Sequence, residues 1–211
     1  FAEILNDMLD QNPNIVNKSV FSDEATFCLK GNVNNHNCHY WAKDNPHWII
    51  QYHTQHPQKI NVWVGTSNGR LIGPVCIDGN LNDEMYLNVL QNEIIPACGI
   101  LFPGEGGEIQ NDILFPQDGV PGHYGREVVN YLNHEFPGRW IGIRGSIEWP
   151  PRSPDQNPLD FFLWGYLKWR VYKDRPKDLE ELKRRIRQEM QLICPTALLE
   201  TLNNFKHRLM H

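Results

Sequence analysis

Apolar residues recur three and four positions apart in "AEILNDMLDQ", at Ile4, Leu5, Met8 and Leu9, and the pattern stops at Asn12-Pro13. That spacing predicts a short helix. The next stretch, "SVFSDEATFCLK", switches to alternation and predicts a strand. One face carries Phe21, Asp23, Ala25 and Phe27; the other carries Val20, Ser22, Glu24, Thr26 and Cys28, with Glu24 expected to face solvent. "KINVWVGTSNGRLIGPVCIDG" reads as two β-runs joined through Ser67-Asn68-Gly69, a hairpin signal. "NDEMYLNVLQNEIIPAC" is helical, and "DILFPQDG" is a short apolar strand that ends at Asp118-Gly119. "HYGREVVNYLNHEF" predicts a helix with Tyr124, Val128, Tyr131, Leu132 and Phe136 on its inner side. Another helix is expected from about Pro158 to Val171. "DLEELKRRIRQEMQLI" is amphipathic behind a capping-box variant at Asp178 and Glu181, and "TALLETLNNFKHRL" supplies a last helix. Strands lead and helices alternate with strands later, which predicts a mixed α/β layer architecture in one domain.

The composition fits a packed core: 211 residues, 40% hydrophobic, with 7 Trp, 9 Phe and 7 Tyr. The apolar runs are too short to span a membrane. The N-terminus has neither an initiator Met nor the regions of a signal peptide, so the chain reads as a piece of a longer polypeptide. Five scattered cysteines without a C-x-x-C suit a reducing compartment. Cys28, His36, Cys38 and His39 lie close together, but their spacing fits no structural zinc pattern. "LFPGEGGEIQN" lacks P-loop spacing. The net charge of −5 argues against nucleic-acid binding, yet it is unevenly spread. Lys168, Arg170, Lys173, Arg175, Lys177, Lys183, Arg184, Arg185 and Arg187 crowd one short stretch, as a basic face or as a solvated helix face.

Three carboxylates stand in unfavourable places. Asp23 shares the apolar face of its strand, where an uncompensated charge costs several kcal/mol or more, on the order of a buried ion's penalty. Asp118 ends a strand before a turn, a position used for ligand binding in α/β sheets and also a common place for a turn aspartate. In "SPDQNPLD", Asn157 is placed to cap a helix that starts at Pro158, which puts Asp160 in its first turn; Asp155 is placed to shape the preceding loop. If the three converge, a divalent cation is needed to neutralise them, and all-oxygen ligands favour Mg²⁺ or Mn²⁺.

"VFSDEATF", "NCHYWAKDNPHW", "HPQKINVWVG", "FPQDGVPGHY" and "EWPPRSPDQNPLDFFLWGYLK" together resemble the catalytic domain of mariner-type transposases, in order and over nearly the whole chain. The resemblance implies an RNase H-like fold, a mixed β-sheet flanked by α-helices, over residues 20–211. Residues 1–19 would be the end of a linker and a lead-in helix, and the family's upstream helix-turn-helix region has no counterpart in this sequence. It implies Asp23, Asp118 and Asp160 as catalytic and metal-binding residues, with Asp155 outside the set. The 41 residues between Asp118 and Asp160 are a longer gap than in the best-known members, and Gly122 stands where relatives often have a proline.

The same resemblance implies two Mg²⁺ or Mn²⁺ ions, cleavage at transposon ends and transfer of the 3′-hydroxyl strand to target DNA. It implies DNA as the partner, a homodimer, a nuclear location, and no small-molecule substrate. His123, Lys168, Arg170, Lys173, Lys183, Arg184, Arg185 and Arg187 are candidate DNA contacts, with helix capping as the competing role for His123. Trp41, Trp48 and Trp164 could stack on bases or pack in the core. Two other readings keep the fold: a host-adopted or decayed copy that binds DNA without activity, and a stand-alone nuclease. A carboxylate-pair glycosidase is a distant third, since the aromatics do not flank the acids as sugar platforms.

Overall fold

Asn68 and Gly69 close a two-residue turn, both at positive φ (47° and 73°), the pairing that matches the twist of a two-residue hairpin. This turn joins β2 (Lys59–Ser67) to β3 (Arg70–Ile77), with Ser67 opposite Arg70. The computed structural model describes residues 2–29, 58–148 and 157–209. Cys38, His36, His39, Trp41, Trp48 and Asp155 therefore lie outside the described residues.

β1 (Phe21–Cys28) pairs antiparallel with β2, placing Asp23 opposite Val64 and Glu24 opposite Trp63. On its other side, just ahead of β1, a parallel bridge joins Ser19 to Leu114, with Val20 N–H donating to the Leu114 carbonyl at 2.8 Å. That bridge leads into β4 (Phe115–Pro116), which pairs parallel with β5 (Trp140–Ile141). The spatial order is β3-β2-β1-β4-β5, a mixed sheet with β1 in the middle. β4 is only two residues long, so Asp118 stands beyond its end, and β5 lies in a stretch where the sequence pattern predicts no strand.

Helices cover both faces. α2 (Asp83–Val89), a wide π-turn (Leu90–Ile94), α3 (Ile95–Leu101) and α4 (Arg126–Glu135) pack on one face around Trp63, Val75, Tyr86, Val128 and Leu132. Pro96 crowds the carbonyl four residues back, and the π-turn lies where that crowding falls. Gly125 separates α4 from the 3₁₀ turn Pro121–Tyr124; a Cβ there would stand 2.4 Å from Asp83 Cβ, so no side chain fits. On the other face α5 (Trp164–Val171) and α6 (Leu179–Gln191) bury Leu167, Val171, Leu182 and Ile186 against Phe27, Val62 and Val64. α6 starts as expected, Asp178 accepting from Glu181 N–H at 2.7 Å. The lead-in helix α1 (Ala2–Gln11) and α7 (Pro195–Leu209) close the same face near Phe21, where Leu5, Leu202 and Phe205 are buried together. Among the described residues no helix is long and apolar enough to cross a membrane, and Cys28, Cys76, Cys98 and Cys194 are free thiols.

The segment that starts at Asn157 is tied to the sheet. Asn157 Nδ2 donates to the Ser22 carbonyl at 3.1 Å, and its Oδ1 accepts from Leu159 N–H at 3.1 Å. The side chain thus caps the helix it begins and hooks it to β1. The chain then makes a π-turn, Leu159–Leu163, which continues into α5. Wide turns of this kind recur at functional sites. Replacing Asn157 with Ala would leave a buried carbonyl and a buried N–H unpaired, and should lower unfolding stability by about 2 kcal/mol. Urea denaturation checks it: the midpoint should fall at constant slope. A midpoint unchanged from the parent chain would show that the helix start is not held by this residue.

Candidate active site

Consecutive residues of a strand point to opposite faces, and in β1 both faces are covered. Asp23 faces α5 and is 7% exposed. Glu24 faces the other helical layer, where its side chain is 11% exposed. Glu24 is thus not a solvent-facing acid: β1 is the middle strand, and the face expected to be open lies under the 3₁₀ turn and α2.

Asp23 is held by α5. Trp164 Nε1 donates to Asp23 Oδ2 at 2.6 Å, and the indole itself is buried, meeting the Phe27 ring edge-on at 6.2 Å. Trp164 therefore packs in the core and offers no face for base stacking. Asp160 lies one turn earlier on the same helical segment and hydrogen-bonds to Asp23. Burial, then the charge of Asp160, push the Asp23 carboxyl up from its ordinary 3.8 to about 8; the Trp164 bond pulls it down, and Glu24 and Asp118 push it up further. Asp160 is also raised, first by desolvation and then by Asp118, against the pull of the Asp23 bond and of Lys168. These shifts fit a protonated Asp23 donating to an ionised Asp160. The three predicted carboxylates thus come from β1, the loop just beyond β4 and the π-turn that leads into α5, and each of the other two acts on the charge of Asp23.

Asp118 is held from behind. Its Oδ1 accepts from Val120 N–H at 3.2 Å and lies 2.8 Å from His123 Nδ1. The other ring nitrogen, Nε2, lies 3.2 Å from Glu24 Oε1. Burial pushes His123 down, but the Glu24 charge and the bonds to both carboxylates lift it to about 10, so the ring is an imidazolium between two acids. Burial raises Asp118 too, yet the His123 bond and charge and the Val120 N–H outweigh it and leave that carboxyl below its ordinary value. Tyr86 stacks on the ring at 4.2 Å and donates to Gln117 Oε1 at 2.9 Å, while Gln117 Nε2 donates to the His123 carbonyl at 3.1 Å. His123 is 2% exposed and does not cap α4, whose start is at Gly125. Glu24, Asp118 and His123 offer ligand atoms within 4.8 Å of one another, close enough for one divalent cation. Among the described residues, Glu24 Oε2 and Trp63 Nε1 are buried without a hydrogen-bond partner, and the two residues are direct cross-strand neighbours.

The basic stretch is divided. Arg170 pairs with Glu189 at 2.7 Å, Arg185 with Glu181 at 2.7 Å, Arg184 with Glu181 at 3.7 Å, and Lys183 with Glu180 at 3.3 Å and Asp78 at 3.8 Å. Arg187 approaches Cys76 Sγ at 4.0 Å, and Lys173 is exposed. Lys168 is exposed above the Phe27 ring, and its charge reaches Asp160. Sequence reasoning missed Glu24, Trp164 as a bonding partner, and Arg208, whose guanidinium stacks 4.1 Å over Phe161, next to Asp160. The signal for Glu24 was its place on the strand with the strongest claim to the middle of the sheet.

A mixed sheet with helices on both faces defines the class: the fold is RNase H-like. Within that class the chain is similar to the mariner-type transposases. It matches the solved Mos1 mariner transposase catalytic domain with a TM-score of 0.72 and 16% identity, over 99% of this chain and 86% of that one. It matches Mos1 in a pre-cleavage transpososome with a TM-score of 0.77 and 17% identity, over 99% of this chain and 58% of that one. In sequence it is 27% identical over 157 residues to the Tc3 transposable-element transposase of Caenorhabditis elegans, covering 74% of this chain and 42% of the relative. The chain thus spans less than half of that curated relative. No protein-family model matches the sequence.

The raised Asp23 gives a pH signature in metal-free protein. The folded state keeps a proton that the unfolded chain sheds near its ordinary 3.8, so this stabilisation is complete below that pH and is lost as pH rises towards about 8. Asp23→Asn cannot lose it. In chelator, the melting temperature of the variant minus that of the parent should grow from pH 5 to pH 8.5, by roughly 3 °C or more. A constant difference would mean that Asp23 ionises as it would in water.

Proposed function

We propose that this chain is the catalytic domain of a DNA transposase, which cuts strands at transposon ends and joins the freed 3′-hydroxyl to target DNA. The single observation that carries the reading is the hydrogen bond between Asp23 and Asp160, with the charge of Asp118 reaching both, across three separate elements of an RNase H-like fold. Solved Mos1 complexes with transposon-end DNA and with Mn or Mg, and the likeness to Tc3 transposase, support it.

The donor set fits Mg²⁺ or Mn²⁺. It is oxygen-rich, and a carboxyl raised to about 8 by neighbouring acids is the arrangement that a divalent cation relieves. Asp23, Asp118 and Asp160 would hold two such ions. When bound, they supply activation of the attacking water or 3′-hydroxyl and charge stabilisation on the leaving oxygen. The protein's own part is preparation. Asp118 is kept ionised by His123, so it is ready to ligate without losing a proton. Asp23 and Asp160, hydrogen-bonded to each other, would ligate as carboxylates once a cation offsets their mutual repulsion. Trp164 holds Asp23 against α5 throughout. Lys168, near Asp160, is the basic residue best placed to meet a substrate phosphate, with Lys173 and Arg187 further out; Arg170, Lys183, Arg184 and Arg185 would first have to leave their acidic partners. DNA in the nucleus is the proposed partner, and a homodimer is the proposed working unit, since two transposon ends must meet.

Two measurements test the reading. Calorimetric Mn²⁺ titration should show binding to the parent chain and to Asp155→Ala, and none to Asp160→Ala; equal loss in both variants would contradict the assignment. A plasmid assay in Mn²⁺ with a short duplex bearing a 3′-hydroxyl should show nicking and joining, both abolished in Asp23→Ala. Nicking without joining would favour a stand-alone nuclease, and metal-independent DNA binding without either would favour a decayed or host-adopted copy.

A further inference from the structure

Asp118 stands beyond the end of a two-residue strand, in a segment with little regular structure to fix it. Two contacts hold its carboxylate, and both fall on one oxygen, Oδ1: the Val120 N–H at 3.2 Å and His123 Nδ1 at 2.8 Å, a ring nitrogen that also lies 3.3 Å from the Asp118 backbone carbonyl. Oδ2 takes neither of these contacts, and the charge of Asp118 reaches both Asp23 and Asp160. The His123 ring is itself fixed. It is 2% exposed, Tyr86 stacks on it at 4.2 Å, its own carbonyl accepts from Gln117, and Nε2 meets Glu24 Oε1 at 3.2 Å. Glu24 in turn is part of β1, the neighbour of Asp23 on the opposite face of the sheet. A cation shared among Glu24, Asp118 and His123 would sacrifice this arrangement, because the two carboxylates sit on different nitrogens of the ring.

We infer that Glu24 and His123 are a positioning pair for Asp118: Glu24 sets the ring, and the ring turns one carboxylate oxygen away so that the other faces the acidic centre. The inference rests on Asp118 being a cation ligand, as in the function proposed above. It makes β1 the reference for two of the three acids, carrying Asp23 directly and aiming Asp118 through the sheet. Outer partners that orient metal-binding side chains typically contribute ten- to a hundredfold in affinity.

The experiment is Mn²⁺ titration calorimetry on the full chain, with melting temperature recorded for every variant. His123→Gln should weaken Mn²⁺ roughly ten- to a hundredfold, and Glu24→Ala roughly tenfold. The double variant should be no weaker than His123→Gln, because Glu24 acts only through the ring. Glu24→Gln, whose amide oxygen still accepts from Nε2, should recover most of the loss seen in Glu24→Ala. With DNA present, the variants should lose cleavage rate with unchanged DNA affinity. Parent-like Mn²⁺ binding in His123→Gln, or losses that multiply in the double variant, would overturn the pairing. If His123→Gln does not fold, the contrast between Glu24→Ala and Glu24→Gln decides: equal affinities overturn it. Asp118→Asn separates the two levels of the claim. If it loses Mn²⁺ while His123→Gln does not, only the positioning role fails; if it keeps parent-like Mn²⁺ binding, the cation site itself is misassigned.

Discussion

The constraint on which this structure turns is the burial of two consecutive acids, Asp23 and Glu24, in the middle strand of a sheet covered on both faces. A carboxylate in such a place must find a proton, a cation or a donor. The two acids find different answers because alternation sends them to opposite sides. Asp23 takes an indole N–H and a hydrogen bond with Asp160, an arrangement that the proposed cations would displace. Glu24 takes the buried His123 ring, whose other nitrogen lies 2.8 Å from Asp118. One side is built to change its charge balance and the other to keep it.

The helical segment beginning at Asn157 serves the first side. Asn157 hooks it to Ser22, the residue before Asp23, and Asp160 and Trp164 lie one turn apart with both side chains reaching Asp23. The cap, the wide turn and the indole together fix an acid from the C-terminal part of the chain against one from its beginning. Polar contacts at such a point are stronger for being out of water, and more damaging when a partner is missing.

Much of this was readable before the fold. Asn68-Gly69 announced its hairpin, the 3.6-residue rhythm of α6 announced its buried face, and Asn157-Pro158 announced a helix start that put Asp160 in its first turn. What was hidden depends on contacts distant in sequence. β5 is two residues long and carries no period to detect, and the strand expected before Asp118 shrinks to the two residues of β4. Glu24 looked solvent-facing because alternation says which residues share a face, not whether a second layer covers the other one. Its bond to His123 spans 99 residues. The basic run read more readily as a solvated helix face than as a DNA-binding face, and the ion pairs of α6 show how much of it is answered by the chain's own acids.

The most direct measurement is anomalous diffraction from crystals soaked in Mn²⁺. Manganese peaks bridged by Asp23, Asp118 and Asp160, with Glu24 and His123 still hydrogen-bonded and not ligating, are the predicted result. Manganese held by Glu24 and the His123 ring, away from Asp160, would contradict it.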